Sequence, residues 1–316
     1  MDESYLPVDI QTLKYDNEQA FDVFFNASNE KMVLYCAKGR IVNEEVRESI
    51  KKHDIRKLYI LKKDKLNYDR YIEKNLRRIL KDIHISHTDK AKTSYNTIKN
   101  IAQTLFEDPK AYIIKRYKKV IFDTMDHVFS DDEFFKDLLN MTTFDFTVYN
   151  HSINVGIFSI GLTKEILMDK EPYELGEIAA GFFLHDIGKC KIPINILNKK
   201  GKLSPAEWEI IKKHPWEGVK LLDELGTQTE ETAIIVYQHH ERYDGKGYPE
   251  GLKGDDIHVY AKICSIADAF DGMTSYRPHR KPYTTFNALK IMKDEMFKHF
   301  DPEYFQKFVK LFTYNK

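Results

Sequence analysis

The sequence predicts an α+β protein in which a small N-terminal α/β domain precedes an all-α helical domain. Residues 1–75 alternate short β-rich runs with a helical stretch, whereas from Asp131 onward the apolar spacing is almost entirely helical. A hydrophobic content of 42%, with 13% aromatics, over 316 residues is enough to fill two cores and argues against a disordered or fibrous chain.

In the first domain the β-rich runs are Phe21 to Phe25, Met32 to Cys36 and Lys57 to Leu61, and the helical pattern is Asn43 to Lys52. After Tyr71 the chain becomes polar and Lys-rich, with Ile79, Leu80 and Ile83 at helical spacing, so residues 76–130 read as a helical connector. Residues 131–316 form the second domain. The run Tyr173 to Leu184 is apolar on most sides, as a central buried helix should be, and Gly188 is a natural residue to end it. Ser204-Pro205-Ala206-Glu207 spells a capping box with Pro at the first helical position, so a helix starts there and stops by Pro215. Tyr243 to Gly254 is a Gly-rich, Pro-containing loop.

Lys plus Arg and Asp plus Glu both number 49, so nothing draws the chain broadly to DNA or to an anionic membrane, and any anionic ligand must be held locally. Cys36, Cys190 and Cys264 are an odd count without CxxC spacing, which suits reduced packing thiols in a cytoplasm. The N-terminus MDESYLPVDI lacks the basic and apolar regions of a signal peptide, and no apolar run approaches the roughly 18 residues of a membrane span. A cytoplasmic protein with no membrane partner is expected.

The helical half carries recurrent metal-ligand types: His151, the pair His185-Asp186, His214, the pair His239-His240, and Asp268. Imidazole with carboxylate suits Mn, Fe or Zn, and the absence of nearby Cys argues against a structural zinc site. Asp186 follows Phe182, Phe183 and Leu184 in the most apolar helix, where an ionised carboxylate costs several kcal/mol unless a cation compensates it. Lys189 lies one turn beyond His185, within reach of a phosphate held over such ions.

These residues also carry a resemblance. His185-Asp186-Ile187-Gly188-Lys189 is similar to the HD-domain motif, and HHERYDGKGYP from His239 to Pro249 is similar to the extended motif of the HD-GYP phosphodiesterases. Ile192-Pro193, His214-Pro215 and the run Asp268-Ala269-Phe270-Asp271 leading to Arg277-Pro278-His279-Arg280 resemble that family too, from about Asp131 to the C-terminus. The resemblance implies a metal-dependent hydrolase of cyclic di-GMP, forming pGpG and in some members GMP. It implies two divalent ions, iron or manganese being expected. One would be held by His151, His185, Asp186 and Asp268, and Asp186 would bridge to the other on His214, His239 and His240. Asp186 and Lys189 would be catalytic, Lys189, Arg277 and Arg280 would bind phosphate, and Tyr248 would offer a hydroxyl or a stacking face. A homodimer, and docking of a diguanylate cyclase or other signalling partner on the GYP loop, are permitted. A non-catalytic receptor or adaptor and a hydrolase of cyclic GMP-AMP are the alternatives.

Some relatives bind a third ion through a Glu one turn before the first His. Here Thr147 stands at that position, so a binuclear site is expected, with Asp145 or Asp271 the carboxylates that could still fill the gap.

Overall fold

The structure, a computed structural model, describes residues 4–8, 10–13, 18–27, 31–40, 57–143, 147–167, 172–199, 201–276 and 281–313. The chain divides into two compact units, Met1–Thr97 and Ile98–Lys316.

In the first unit, strands β1 (Tyr5–Val8), β2 (Val23–Ala27), β3 (Lys31–Cys36) and β4 (Leu58–Leu61) form an antiparallel sheet in the order β1-β4-β2-β3. Three of these match the expected β runs to within two residues, and the fourth, β1, was missed. It contains Pro7, which a sheet tolerates because β1 is an edge strand. The helical pattern expected over Asn43 to Lys52 lies outside the described residues. Helix α1 (Lys65–Lys81) buries Tyr71, Ile72, Leu76, Ile79 and Leu80 at three- and four-residue spacing. Tyr71, Ile72 and Ile79 join Val8, Phe21, Val23, Leu58 and Ile60 in one core, where Phe21 stands edge-on to Tyr71 with centroids 5.6 Å apart. Ile83, expected on the buried face, is instead 87% exposed, because the helix has already ended at Lys81. Helix α2 (His87–Glu107) runs across the boundary between the units.

The described part of the second unit is helical: α3 (Ala111–Ser130), α4 (Asp132–Asn140), α5 (Val148–Ile166), α6 (Pro172–Leu184), α7 (Ile194–Leu197), α8 (Pro205–Ile211), α9 (His214–Glu224), α10 (Glu230–Gln238), α11 (Val259–Thr274), α12 (Thr285–Glu295) and α13 (Pro302–Lys310). Helix α6 is central, packing on α3, α5 and α10. Small residues permit the close approach: Gly156 of α5 lies against the Phe183 ring, and Gly181 of α6 against Ile235 of α10. On the far side of α5, Phe158, Phe270 and Phe308 pack edge to face and join α11 and α13 to it. The capping box at Ser204 forms as expected, with Glu207 N donating to Ser204 Oγ at 3.2 Å and Ser204 N to Glu207 Oε2 at 2.7 Å.

Gly188 corrects the sequence reading. Helix α6 ends at Leu184, and Gly188 lies beyond it in a 3-10 turn, Ile187–Lys191, so it does not cap the helix. Its role is proximity: a Cβ there would overlap the His214 carbonyl and the Gly218 amide of α9. Gly188 thus sets how closely the His185-Asp186 turn can approach His214. Gly188→Ala is expected to lower stability by about 3 kcal/mol, the upper range for overpacking, whereas Gly201→Ala, with open space around it, should be neutral by thermal denaturation. Equal melting temperatures would refute the packing role.

Candidate metal centre

Three helices, α5, α9 and α11, and the two turns that follow α6 and α10 bring the expected residues together. Asp186, His214, His239 and His240 form one group whose ligand atoms all lie within 4.8 Å of one another, and His151, His185 and Asp268 form a second by the same measure. Asp186 faces both. Its Oδ1 is 3.2 Å from His214 Nε2 and 3.7 Å from His239 Nε2, while its Oδ2 is 3.4 Å from both His151 Nε2 and His185 Nε2. Asp268 Oδ1 lies 3.1 Å from His151 Nε2, and its Oδ2 lies 3.5 Å from His240 Nδ1.

Three of the histidines are oriented by one local device. Each donates Nδ1–H to the carbonyl three residues earlier: His185 to Phe182 at 2.8 Å, His214 to Ile211 at 2.8 Å and His239 to Val236 at 2.9 Å. These carbonyls belong to the last turns of α6, α8 and α10, where helix ends leave acceptors unpaired. For Ile211 the cause is explicit, since its usual donor four residues on would be Pro215, which has no N–H. His151, inside α5, uses a side chain instead, its Nδ1 donating to Asp271 Oδ2 at 2.6 Å. Carbonyls and carboxylates only accept, so the proton is on Nδ1 in all four rings and each Nε2 lone pair faces the centre.

That arrangement fits a metal. The Nε2 atoms of His214 and His239 face each other at 3.1 Å with no proton to share. His185 Nε2 and Asp186 Oδ1 are buried without a hydrogen-bond partner. Such converging lone pairs are repulsive unless a cation lies among them, and nitrogen with carboxylate oxygen is a donor set for divalent transition ions. Burial holds His214, His239 and His240 below the ordinary imidazole pKa, hence neutral and able to ligate. Burial also opposes charging of His151, yet Asp186, Asp268 and Asp271 together hold its pKa well above the usual value. A second proton or a metal cation answers the same negative field. Asp186 is likewise opposed by burial, but Lys189 and the imidazoles keep it well below the carboxylate range.

Lys189 Nζ stands on Asp186 Oδ2 at 2.5 Å, at the edge of the cluster. Tyr248 lies over His240, with ring centroids 4.7 Å apart and planes at 31°. Arg277 and Arg280 lie outside the described residues, as does Asp145. Asp271 is engaged otherwise than a third-ion ligand would be: besides His151, its Oδ1 accepts from Asn154 Nδ2 at 2.7 Å and from Ser275 Oγ at 3.0 Å. Its position three residues after Asp268 on one helix face was the sequence signal, but not which side of His151 it would meet. Thr147 caps α5, its hydroxyl accepting from Asn150 N at 3.1 Å.

Sequence reasoning did not foresee how the 243–254 loop is held. Buried Glu241 accepts from the backbone amides of Glu250 (2.7 Å), Gly251 (3.1 Å) and Leu252 (3.0 Å), and Arg242 forks onto Asp244. Gly247 packs so closely on the His240 and Arg242 backbone that a Cβ would overlap both. The loop is thereby fixed to the segment carrying His239 and His240.

Comparison with known proteins gives one family model, the HD domain, matching residues 134–304. The chain is 37% identical over 174 residues (55% of this chain, 41% of the relative) to a Pseudomonas aeruginosa protein named a cyclic di-GMP phosphodiesterase. A Thermotoga maritima protein of the same designation is 35% identical over 208 residues, covering 63% of this chain and 56% of its own length. The chain thus spans about half the length of these relatives. A solved structure, the HDG"Y"P protein Bd1817 of Bdellovibrio bacteriovorus, shares the fold with a TM-score of 0.67 at 24% identity, covering 98% of this chain and 100% of its own. Asp271→Asn, isosteric but a weaker acceptor, is expected to reduce metal affinity about 10- to 100-fold in chelator competition, and unchanged affinity would exclude Asp271 as the support of His151.

Proposed function

The chain belongs to the HD domain family, and on that premise we propose that it hydrolyses a cyclic dinucleotide, cyclic di-GMP, to linear pGpG using two divalent ions at the His/Asp cluster. The observation that carries the proposal is Asp186, whose two oxygens face two separate sets of imidazoles, as a carboxylate bridging two ions would. In this reading His151, His185 and Asp268 hold one ion with Asp186, and His214, His239 and His240 hold the other with it. The names of the Pseudomonas and Thermotoga relatives support the substrate, as does the HHERYDGKGYP motif.

Bound there, the ions supply Lewis acidity that makes water nucleophilic at neutral pH and neutralises phosphoryl charge. The chain's residues do the rest. The anchored imidazoles hold their lone pairs in place before any ligand arrives, so little reorganisation accompanies binding. Lys189, beside Asp186, is placed to pair with a phosphate oxygen. Burial, with Asp268 and Asp186 adding to it, raises the Tyr248 pKa, so its phenol stays protonated and can donate to the substrate. Arg277 and Arg280 are proposed as further phosphate contacts.

Two ions, iron or manganese, are proposed because Thr147 is a helix cap and Asp271 supports His151, which leaves a third ion without an anchor from either. Among the described residues no helix is long and apolar enough to cross a membrane. A cytoplasmic setting is proposed from the three free thiols. The first unit is proposed to regulate or dimerise, and the 243–254 loop to serve also for docking a diguanylate cyclase or other signalling protein.

The metal-loaded protein incubated with cyclic di-GMP should yield pGpG by chromatography. Tight binding without product would favour a receptor, and exclusive cleavage of cyclic GMP-AMP would change the substrate. Lys189→Ala should keep its metal yet lose about 10²–10³-fold in turnover, whereas a wild-type rate would return Lys189 to the surface. A third ion should appear by elemental analysis only in Thr147→Glu; three ions in the unmodified chain would refute the binuclear assignment.

A further inference from the structure

None of the clustered His and Asp residues belongs to the first unit, and its helix α1 has a surface that the core leaves unused. Steps of three and four residues place Leu66, Arg70, Lys74, Arg77 and Lys81 on the face opposite the buried Ile72, Leu76 and Ile79. At 1.5 Å per residue this exposed stripe runs roughly 22 Å. Between Arg70 and Lys81 five cations meet a single carboxylate, Glu73, although the totals over the whole chain balance at 49 each. The neutral composition is an average that this helix breaks. We propose that this face of α1 docks the protein peripherally on an anionic lipid surface.

Three observations favour that occupant. The first is the availability of the charges. Arg70, Lys74, Arg78 and Lys81 form no ion pair among the described residues, whereas Lys65 is held by Asp69 at 2.5 Å. Arg77, Arg78 and Lys81 line a shallow groove with Asp82, whose carboxylate accepts from the His84 amide at 2.8 Å. Attraction to the helix C-terminus accounts for Arg78 and Lys81, but it fades within the last turn and leaves Arg70 and Lys74 unexplained. The second observation is that aliphatic side chains stand among these charges. Leu66 is 71% exposed on the same face, and Ile83, just past the helix, is 87% exposed. Such side chains gain by entering the acyl boundary beneath lipid headgroups and gain little against a hydrated polyanion. Third, α1 presents no exposed aromatic side chain. Tyr71 is buried, and the half-buried Tyr68 is held by the Phe21 ring at 5.6 Å and by Thr12 Oγ1 at 3.1 Å. That disfavours single-stranded nucleic acid, whose bases stack on aromatics set among the cations.

Cosedimentation of the full, metal-loaded chain with vesicles tests the proposal. The core contacts of α1 lie on its other face, so surface variants should keep the wild-type melting temperature. Vesicles of phosphatidylglycerol and phosphatidylcholine in equal parts should capture the chain, phosphatidylcholine alone should not, and high salt should release it. Each cation near such a surface strengthens binding about fivefold, so Arg70→Gln, Lys74→Gln and Lys81→Gln together should weaken it about 100-fold. Leu66→Ser with Ile83→Ser should weaken it about tenfold and leave the salt response unchanged. Equal capture by neutral vesicles, full affinity in either variant, or capture by duplex DNA without capture by anionic vesicles would overturn the lipid assignment. The result does not depend on which reaction the metal centre performs.

Discussion

The side chain of Asp186 has no exposed surface, and its charge is held beneath four imidazoles in the most apolar part of the second unit. A carboxylate in that position costs several kcal/mol in desolvation. Lys189 offsets part of this on one oxygen, but the other oxygen has only imidazole nitrogens near it, and those carry lone pairs. The surrounding architecture answers this unbalanced negative field. Helix ends deliver three imidazoles with their protons turned outward, Asp271 does the same for the fourth, and what converges on Asp186 is a set of donors suited to divalent cations.

The packing around the centre is tight where ligands come from different elements. Gly188 brings the His185-Asp186 turn onto the start of α9, and Gly218 receives it there with its Cβ direction blocked by Val236 of α10. Gly247 performs the equivalent service between the 243–254 loop and the His240 backbone. Because α6, α9 and α10 each end or begin at a candidate ligand, a shift of one helix would move that side chain directly. The cavity beside the centre is lined differently, by the loop that Glu241 fastens, by Trp208 of α8 and by Met296, His299 and Phe300 before α13.

Much of the centre was legible in the sequence because metal chemistry restricts residue type: His and Asp in apolar helices are costly enough to need a reason. The seven residues named from sequence are the ones brought together in space. Orientation was not legible. Asp271 could as well have been a ligand, since sequence does not say on which side of His151 it falls, and Gly188 read as a helix stop because close approach to a distant helix leaves no local trace. Strand β1 was hidden by Pro7, whose penalty disappears at a sheet edge. The cavity was hidden for a related reason, being assembled from α8, the loop and residues near 299, which are remote in sequence.

Whether Asp186 bridges two ions can be read from metal content per chain in anaerobically purified wild type and Asp186→Ala, with far-ultraviolet circular dichroism recorded on the same samples. A bridging Asp186 gives two ions in the wild type and loss of both from the variant, with helical content largely kept because the core lies in helix packing. A helical Asp186→Ala protein that still holds two ions would contradict it.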